Sequence, residues 1–252
     1  MDINKYLLPE IGVDVLRYDS VQSTMDIAWE HFDSGKGHGL VVLAKEQTQG
    51  RGRFARRWHT GYNETMSMSV ILQPPLEQLP LIPIAANLAI ADTINSITGL
   101  SCVYKWPNDV LVTNRKISGV LLESRVTPEG LCSAVLGIGA NVNIQIDQHP
   151  DLIGIATSVS ELLRHQTNID IFETKVIKNL QKRYTESASN PIATLAQWSS
   201  KLATLGQAIN VRLTSGTITG TAERVDNRGR LLLRLPSGAI KLLEEGEVTL
   251  ST

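Results

Sequence analysis

Between residues 102 and 144 the chain reads CVYKW, DVLVT, KISGVLLESR and LCSAVLGIGANVNI. These are four β-like runs separated by little more than turn chemistry, with Pro107–Asn108–Asp109 and the TNRK tetrapeptide at 113–116 supplying two of the turns. Links this short cannot carry a helix across a sheet, so the runs pair as an antiparallel or mixed sheet and not as a βαβ winding.

The segments around this block complete the layout. VDVLRYD (13–19) predicts a strand, and STMDIAWEHF a helix with Ser23 as N-cap. GLVVLAKE (39–46) reads as a buried strand, and TMSMSVIL (65–72) alternates with period two. Leu81, Ile84, Ala85, Leu88, Ala91 and Ile94 fall on one helical face, with Pro80 and Pro83 in the first turn. Ser158 and Glu161 form a capping box, and two more helices follow in IFETKVIKNLQKRYTESA and PIATLAQWSSKLA. From about residue 206 only short strands with Gly and Asn-Arg-Gly turns remain, the texture of a small β-barrel. The expected architecture is therefore α/β (α+β): a mixed-sheet domain flanked by helices over residues 1–205, then a β-barrel over 206–252.

A net charge of −1 argues against a broad nucleic-acid-binding surface. No stretch holds 18 uninterrupted apolar residues, and MDINKYLLPEIGVDV lacks the basic and apolar regions of a signal peptide. The two cysteines, Cys102 and Cys132, show no CxxC spacing and read as core residues in a reducing, cytoplasmic setting. The five histidines match no zinc spacing.

Against that neutral background, GRGRFARRWHT (50–60) gathers four arginines into a long polar loop without periodicity. Glycines let the backbone approach a ligand and present its N–H groups, and guanidinium groups bind phosphate and carboxylate. Composition alone weighs an anion site and a solvated basic loop evenly. The loop is neither a P-loop nor a dinucleotide fingerprint. Lys105 ends an apolar strand just before a Pro-Asn turn, either facing a pocket or snorkelling to solvent. Lys116 precedes Gly119, where a strand glycine marks a bulge or a close approach by a ligand. Gly137 and Gly139, at period two, share one face of their strand and leave a groove free of side chains, with Asn141 and Asn143 continuing that face.

Taken in order, STMD, EQTQGRGRFARRW, KWPNDVLV, KISGVLLES, GIGANVN, ATSVSEL and the tail motifs VDNRGRLLL and GEVTL resemble the biotin protein ligases, over nearly the whole chain. The resemblance implies a mixed-sheet catalytic domain, a C-terminal SH3-like barrel and two half-reactions. Biotin and MgATP give biotinyl-5′-AMP, and a lysine of a biotin carboxyl carrier protein then takes the biotin. It implies catalytic roles for Lys105, Arg51 and Arg53. Biotin contacts fall to Ser23, Thr24, Gln47, Gly50, Arg51, Arg53, Lys105, Gly119, Gly137 and Gly139. Nucleotide contacts fall to Arg53, Trp58, Lys105, Asn108, Lys116 and Asn141. ATP and Mg²⁺ are implied, the metal arriving through the phosphates and not through a protein site. Two positions depart from the family pattern: Met25 stands where Asn is usual and Ala55 where Gly is usual. Too few residues precede the first strand for a three-helix DNA reader, so a monofunctional ligase without DNA binding is expected. The strand over 131–146 offers an edge for a homodimer. The rival readings are a lipoate- or octanoate-type ligase and, outside enzymes, a basic-loop RNA-binding module.

Overall fold

The computed structural model describes residues 10–250; most of the stretch read above for a leader lies outside them. The strands β1 (Val15–Val21), β2 (Val41–Gln47), β3 (Thr65–Leu72), β4 (Val103–Lys105), β5 (Asp109–Val112), β6 (Arg115–Val126) and β7 (Cys132–Asn141) form one sheet. Its order is β1-β2-β3-β7-β6-β5-β4. β1 and β2 are parallel, and every other pair is antiparallel. The four central runs pair as their short links require. The single parallel pair arises where helix α1 (Thr24–Asp33) crosses between β1 and β2.

α1 starts where its cap dictates, with Ser23 Oγ accepting from Met25 N at 3.3 Å. It packs on one face of the sheet through Met25, Ala28 and Trp29, against Val42, Ile71 and Val135. The other face carries α2 (Ile82–Thr98) and α4 (Ile169–Ser189), with the short α3 (Val159–Leu163) and α5 (Pro191–Ser199) beside them. β3 is buried along its full length. Met66, Met68, Val70 and Leu72 feed the main core, and Ile71 feeds the α1 side. The alternation read in TMSMSVIL thus sorts residues between two covered faces and does not mark a solvent side.

α2 also departs from expectation, because it is buried on more than one face, including Ala86, Ala89 and Ile90. The 20-residue stretch Leu79–Thr98 has a mean hydropathy of 1.3, apolar enough to cross a membrane by composition, but here it is the core helix between sheet and α4.

The C-terminal part is a five-stranded antiparallel sheet: β8 (Ala208–Leu213), β9 (Gly216–Val225), β10 (Leu231–Arg234), β11 (Ile240–Leu243) and β12 (Glu247–Leu250), in the order β11-β10-β9-β8-β12. Its inner residues, among them Val211, Leu231 and Leu233, join the same continuous core as the large sheet. Trp106 fastens the two parts. Its backbone N donates to Thr204 Oγ1 and its Nε1 to the carbonyl of Gly229, each at 3.0 Å. Gly229 adopts φ +76°, and a Cβ there would stand 2.9 Å from Ile84, so the Asn-Arg-Gly turn is shaped to sit against α2.

One expectation is corrected. β7 is not an edge available for a homodimer, because β3 and β6 flank it on both sides. The edges of the large sheet are β1 and β4.

Candidate functional site

The register of the sheet assembles a row that no single strand displays. Ser67 on β3 is opposite Gly139 on β7, and Gly139 is opposite Gly119 on β6. Gly119 is opposite Asp109 on β5, and Asp109 is opposite Lys105 on β4. Cross-strand partners share a face. The row is therefore a trough roughly 19 Å long, taking about 4.8 Å per strand. It has a hydroxyl at one end, two glycines in the floor, and a carboxylate and an ammonium at the other end. A second row, Ser69–Gly137–Leu121, runs alongside it.

A cavity of about 450 Å³ opens over this trough. Ser23, Thr24, Gln47, Arg51, Arg53, Trp58, Lys105, Asn108, Lys116, Gly119, Gly137, Gly139 and Asn141 all line it. Gly50 does not: it is buried in the base of the loop, where a Cβ would meet the Trp58 carbonyl at 2.9 Å. Its lack of a side chain serves loop packing.

At the hydroxyl end the polar groups are already organised. Gln47 Oε1 accepts from Thr24 N at 2.8 Å and from Thr24 Oγ1 at 3.1 Å, while its Nε2 donates to Ser67 Oγ at 3.2 Å. Thr24 Oγ1 and Ser69 Oγ are 2.8 Å apart. Ser67 and Ser69 were legible only as strand residues; they are buried behind the cavity wall, where they hold Gln47 and Thr24. Met25 lies over the neighbouring glycine, with Sδ 2.8 Å from where a Gly137 Cβ would stand. The substitution of Met for Asn is thus accommodated by a glycine.

Above the middle of the floor, the Trp58 ring comes within 2.4 Å of a Cβ built on Gly139. Only glycine permits that approach. Trp58 Nε1 is buried without a hydrogen-bond partner among the described residues, an unmet donor at the cavity wall. Lys116 Nζ stands 5.5 Å from the Trp58 ring centre and 2.7 Å from Asp109 Oδ1. It hangs over Gly119, 3.0 Å from the position of an added Cβ. Lys105 lines the same end and makes no ion pair among the described residues. Two side chains expected at the nucleotide are occupied locally. Asn108 Nδ2 donates to the Val120 carbonyl, and Asn141 Nδ2 to the Thr157 carbonyl at 3.0 Å.

The loop over the cavity is held by its own charges. Arg51 makes two bonds to Asp26, at 2.8 and 2.6 Å, and lies 3.4 Å from Glu123. The Asp26 hydrogen bond raises its pKa above the ordinary guanidinium value. Arg51 is therefore a matched charge that ties the loop to α1 and β6 while lining the cavity. Arg53 is different. It lies 3.6 Å from Glu245, and burial pushes its pKa down from the ordinary value, with Glu245 and Asp109 opposing that shift. A cation already stripped of part of its water gains most from an incoming anion. Arg56 pairs with Glu247. Phe54 between them adopts φ +54°, a left-handed turn inside the loop. The pairing of these arginines with Asp26, Glu123, Glu245 and Glu247 had no signal in the sequence, because each carboxylate comes from a distant element. The barrel also forms part of the wall itself, through Gly246, Glu247 and Val248.

Comparison with known proteins accords with this geometry. Residues 18–143 match the model of the Biotin/lipoate A/B protein ligase family. The chain is 33% identical over 238 residues to the bifunctional ligase/repressor BirA of Bacillus spizizenii, covering 92% of this chain and 73% of that one. The chain belongs to the biotin/lipoate A/B protein ligase family. Residues 204–251 of this family member match the Biotin protein ligase C terminal domain. It is also 28% identical over 222 residues to the biotin–[acetyl-CoA-carboxylase] ligase of Mycobacterium tuberculosis, covering 83% of this chain and 78% of that one. The solved biotin protein ligase of Aquifex aeolicus in complex with biotin and ATP superposes with a TM-score of 0.80 at 26% identity, covering 95% of this chain and 99% of that one.

Proposed function

We propose that this ligase-family chain is an ATP-dependent biotin protein ligase. It joins biotin to AMP and then passes the biotin to a lysine of a biotin carboxyl carrier protein belonging to a carboxylase, in the cytoplasm. The observation that carries the reading is the in-register row Ser67–Gly139–Gly119–Asp109–Lys105 under a cationic loop. A slender acid with a polar head fits it: head group toward Ser23, Thr24 and Gln47, apolar body against Met25 and Trp58, the side chains that cover Gly137 and Gly139, and carboxylate toward Lys105, Lys116 and Arg53. Neutral hydroxyl and amide groups suit a ureido ring.

In the first half-reaction the biotin carboxylate oxygen attacks the α-phosphorus of ATP, and pyrophosphate leaves with the bonding electrons. Two anions must meet. Lys105 and Lys116 lower that repulsion from the floor, and Arg53 lowers it from the loop. Mg²⁺, arriving with the triphosphate, supplies further neutralisation. Trp58 fixes the loop over the glycine floor and its Nε1 remains free to donate. Gly246–Val248 of the barrel close the cavity wall beside Arg53 and Arg56. In the second half-reaction the acceptor amine attacks the acyl carbon and AMP leaves.

The test is pyrophosphate release from ATP with biotin, with lipoate and with neither. Release that depends on biotin, and falls about 10²-fold or more in Lys105→Ala and Lys116→Ala, is expected from the loss of one charge-stabilising group. Equal release with lipoate, or none with biotin, overturns the reading.

A further inference from the structure

His59 follows Trp58 in the loop and is, among the described residues, the one histidine that lines the cavity. Its Nε2 lies 2.7 Å from Asp151 Oδ2, and its side chain is 24% exposed. Asp151 lines the same cavity from the segment after β7, and the His149 ring stands beside His59 at 5.3 Å. The other ring nitrogen of His59, Nδ1, has no partner among the described residues. The adenylation chemistry above makes no use of this pair.

We propose that His59 is the general base of the acyl-transfer half-reaction, oriented by Asp151. The inference rests on the ligase reading and extends it to the second step. When the acceptor lysine attacks, a bond forms between its Nζ and the biotin acyl carbon. The bond from that carbon to the phosphate oxygen breaks, and AMP leaves with the electron pair. The attacking nitrogen must shed a proton as it bonds, and Nδ1 of His59 receives it. A carboxylate beside Nε2 favours the tautomer protonated there and leaves the lone pair on Nδ1. Of the cavity's other carboxylates, Asp109 holds Lys116, and Glu247 pairs with Arg56 through Oε1 while its Oε2 is buried without a partner among the described residues.

The experiment supplies biotinyl-5′-AMP directly, with a biotin carboxyl carrier domain as acceptor, so that adenylation is bypassed. His59→Ala removes the base and the contact with Asp151. His59→Gln keeps an N–H toward Asp151 but cannot accept the proton. The expected result is a fall in kcat for transfer of about 10²-fold in both variants, with KM for the carrier unchanged and with imidazole in the buffer restoring His59→Ala. Transfer by His59→Gln at the parental rate would show that His59 only ties two loops together, and would overturn the inference, as would a loss in His59→Ala that imidazole does not restore. Failure of the parent protein to transfer biotin from the adenylate overturns the ligase reading, and the inference with it.

Discussion

The floor of the cavity and the loop above it are built by opposite means. The floor is extended backbone, paired on both sides, in which Gly119, Gly137 and Gly139 leave no side chain to move. The loop is tied down by Trp58 against Gly139 and by ion pairs from Arg51 to Asp26, Arg53 to Glu245 and Arg56 to Glu247. Each of these pairs has at least one partner substantially exposed, and such pairs contribute about 0–1 kcal/mol each. An incoming anion can therefore replace a carboxylate on Arg53 at little cost, whereas nothing replaces a strand hydrogen bond. A fixed floor gives shape selectivity, and an exchangeable loop lets a water-labile acyl phosphate be covered and later uncovered.

The comparison is broken most severely at the floor. Gly139→Val places a Cβ where the Trp58 ring sits, while the extended backbone of β7 accepts valine. Overpacking of this kind costs about 1–3 kcal/mol, and the part of it met when the loop seats over the ligand weakens binding tenfold for each 1.4 kcal/mol. Titration calorimetry should therefore find biotin bound about 10²-fold more weakly by a protein with a parental circular dichroism spectrum. Unchanged affinity would mean that Trp58 and the ligand do not share the floor.

A smaller effect tests whether the support around the floor responds to charge at all. His38 is buried beside Tyr184, and its Nδ1 accepts from Gln73 N at 3.0 Å. Burial lowers its pKa from 6.5 to about 4. The unfolded chain thus binds this proton more readily than the folded one, so stability is full above about pH 6.5 and declines as pH falls toward 4. Urea midpoints measured across that window should slope less in His38→Gln than in the parent. Equal slopes would remove His38 as the source.

The sequence made the local half of this site readable. Ser23 as a cap, the strand at 65–72 and the shared face of Gly137 and Gly139 all follow from periodicity and capping, which are short-range properties. The row itself was not readable. It depends on β3 lying next to β7, a pairing between segments far apart in the chain, and on the register of the short β5–β6 hairpin, and so Ser67 and Asp109 looked like strand and turn residues. The roles of the arginines were half legible. Their charge pointed to an anion, but only the fold shows that Arg51 is matched by Asp26 while Arg53 is partly desolvated. The edge expected at 131–146 failed for the same reason, since interior and edge strands read alike when each has a covered face.

The most direct test of a charge-held loop over a fixed floor is the lifetime of bound biotinyl-5′-AMP, measured by filter retention in the parent and in Arg53→Gly. A charged hydrogen bond contributes about 1.5–3 kcal/mol, so the variant should release the adenylate roughly 10- to 10²-fold faster while keeping the parental fold. Retention at the parental rate would contradict the account.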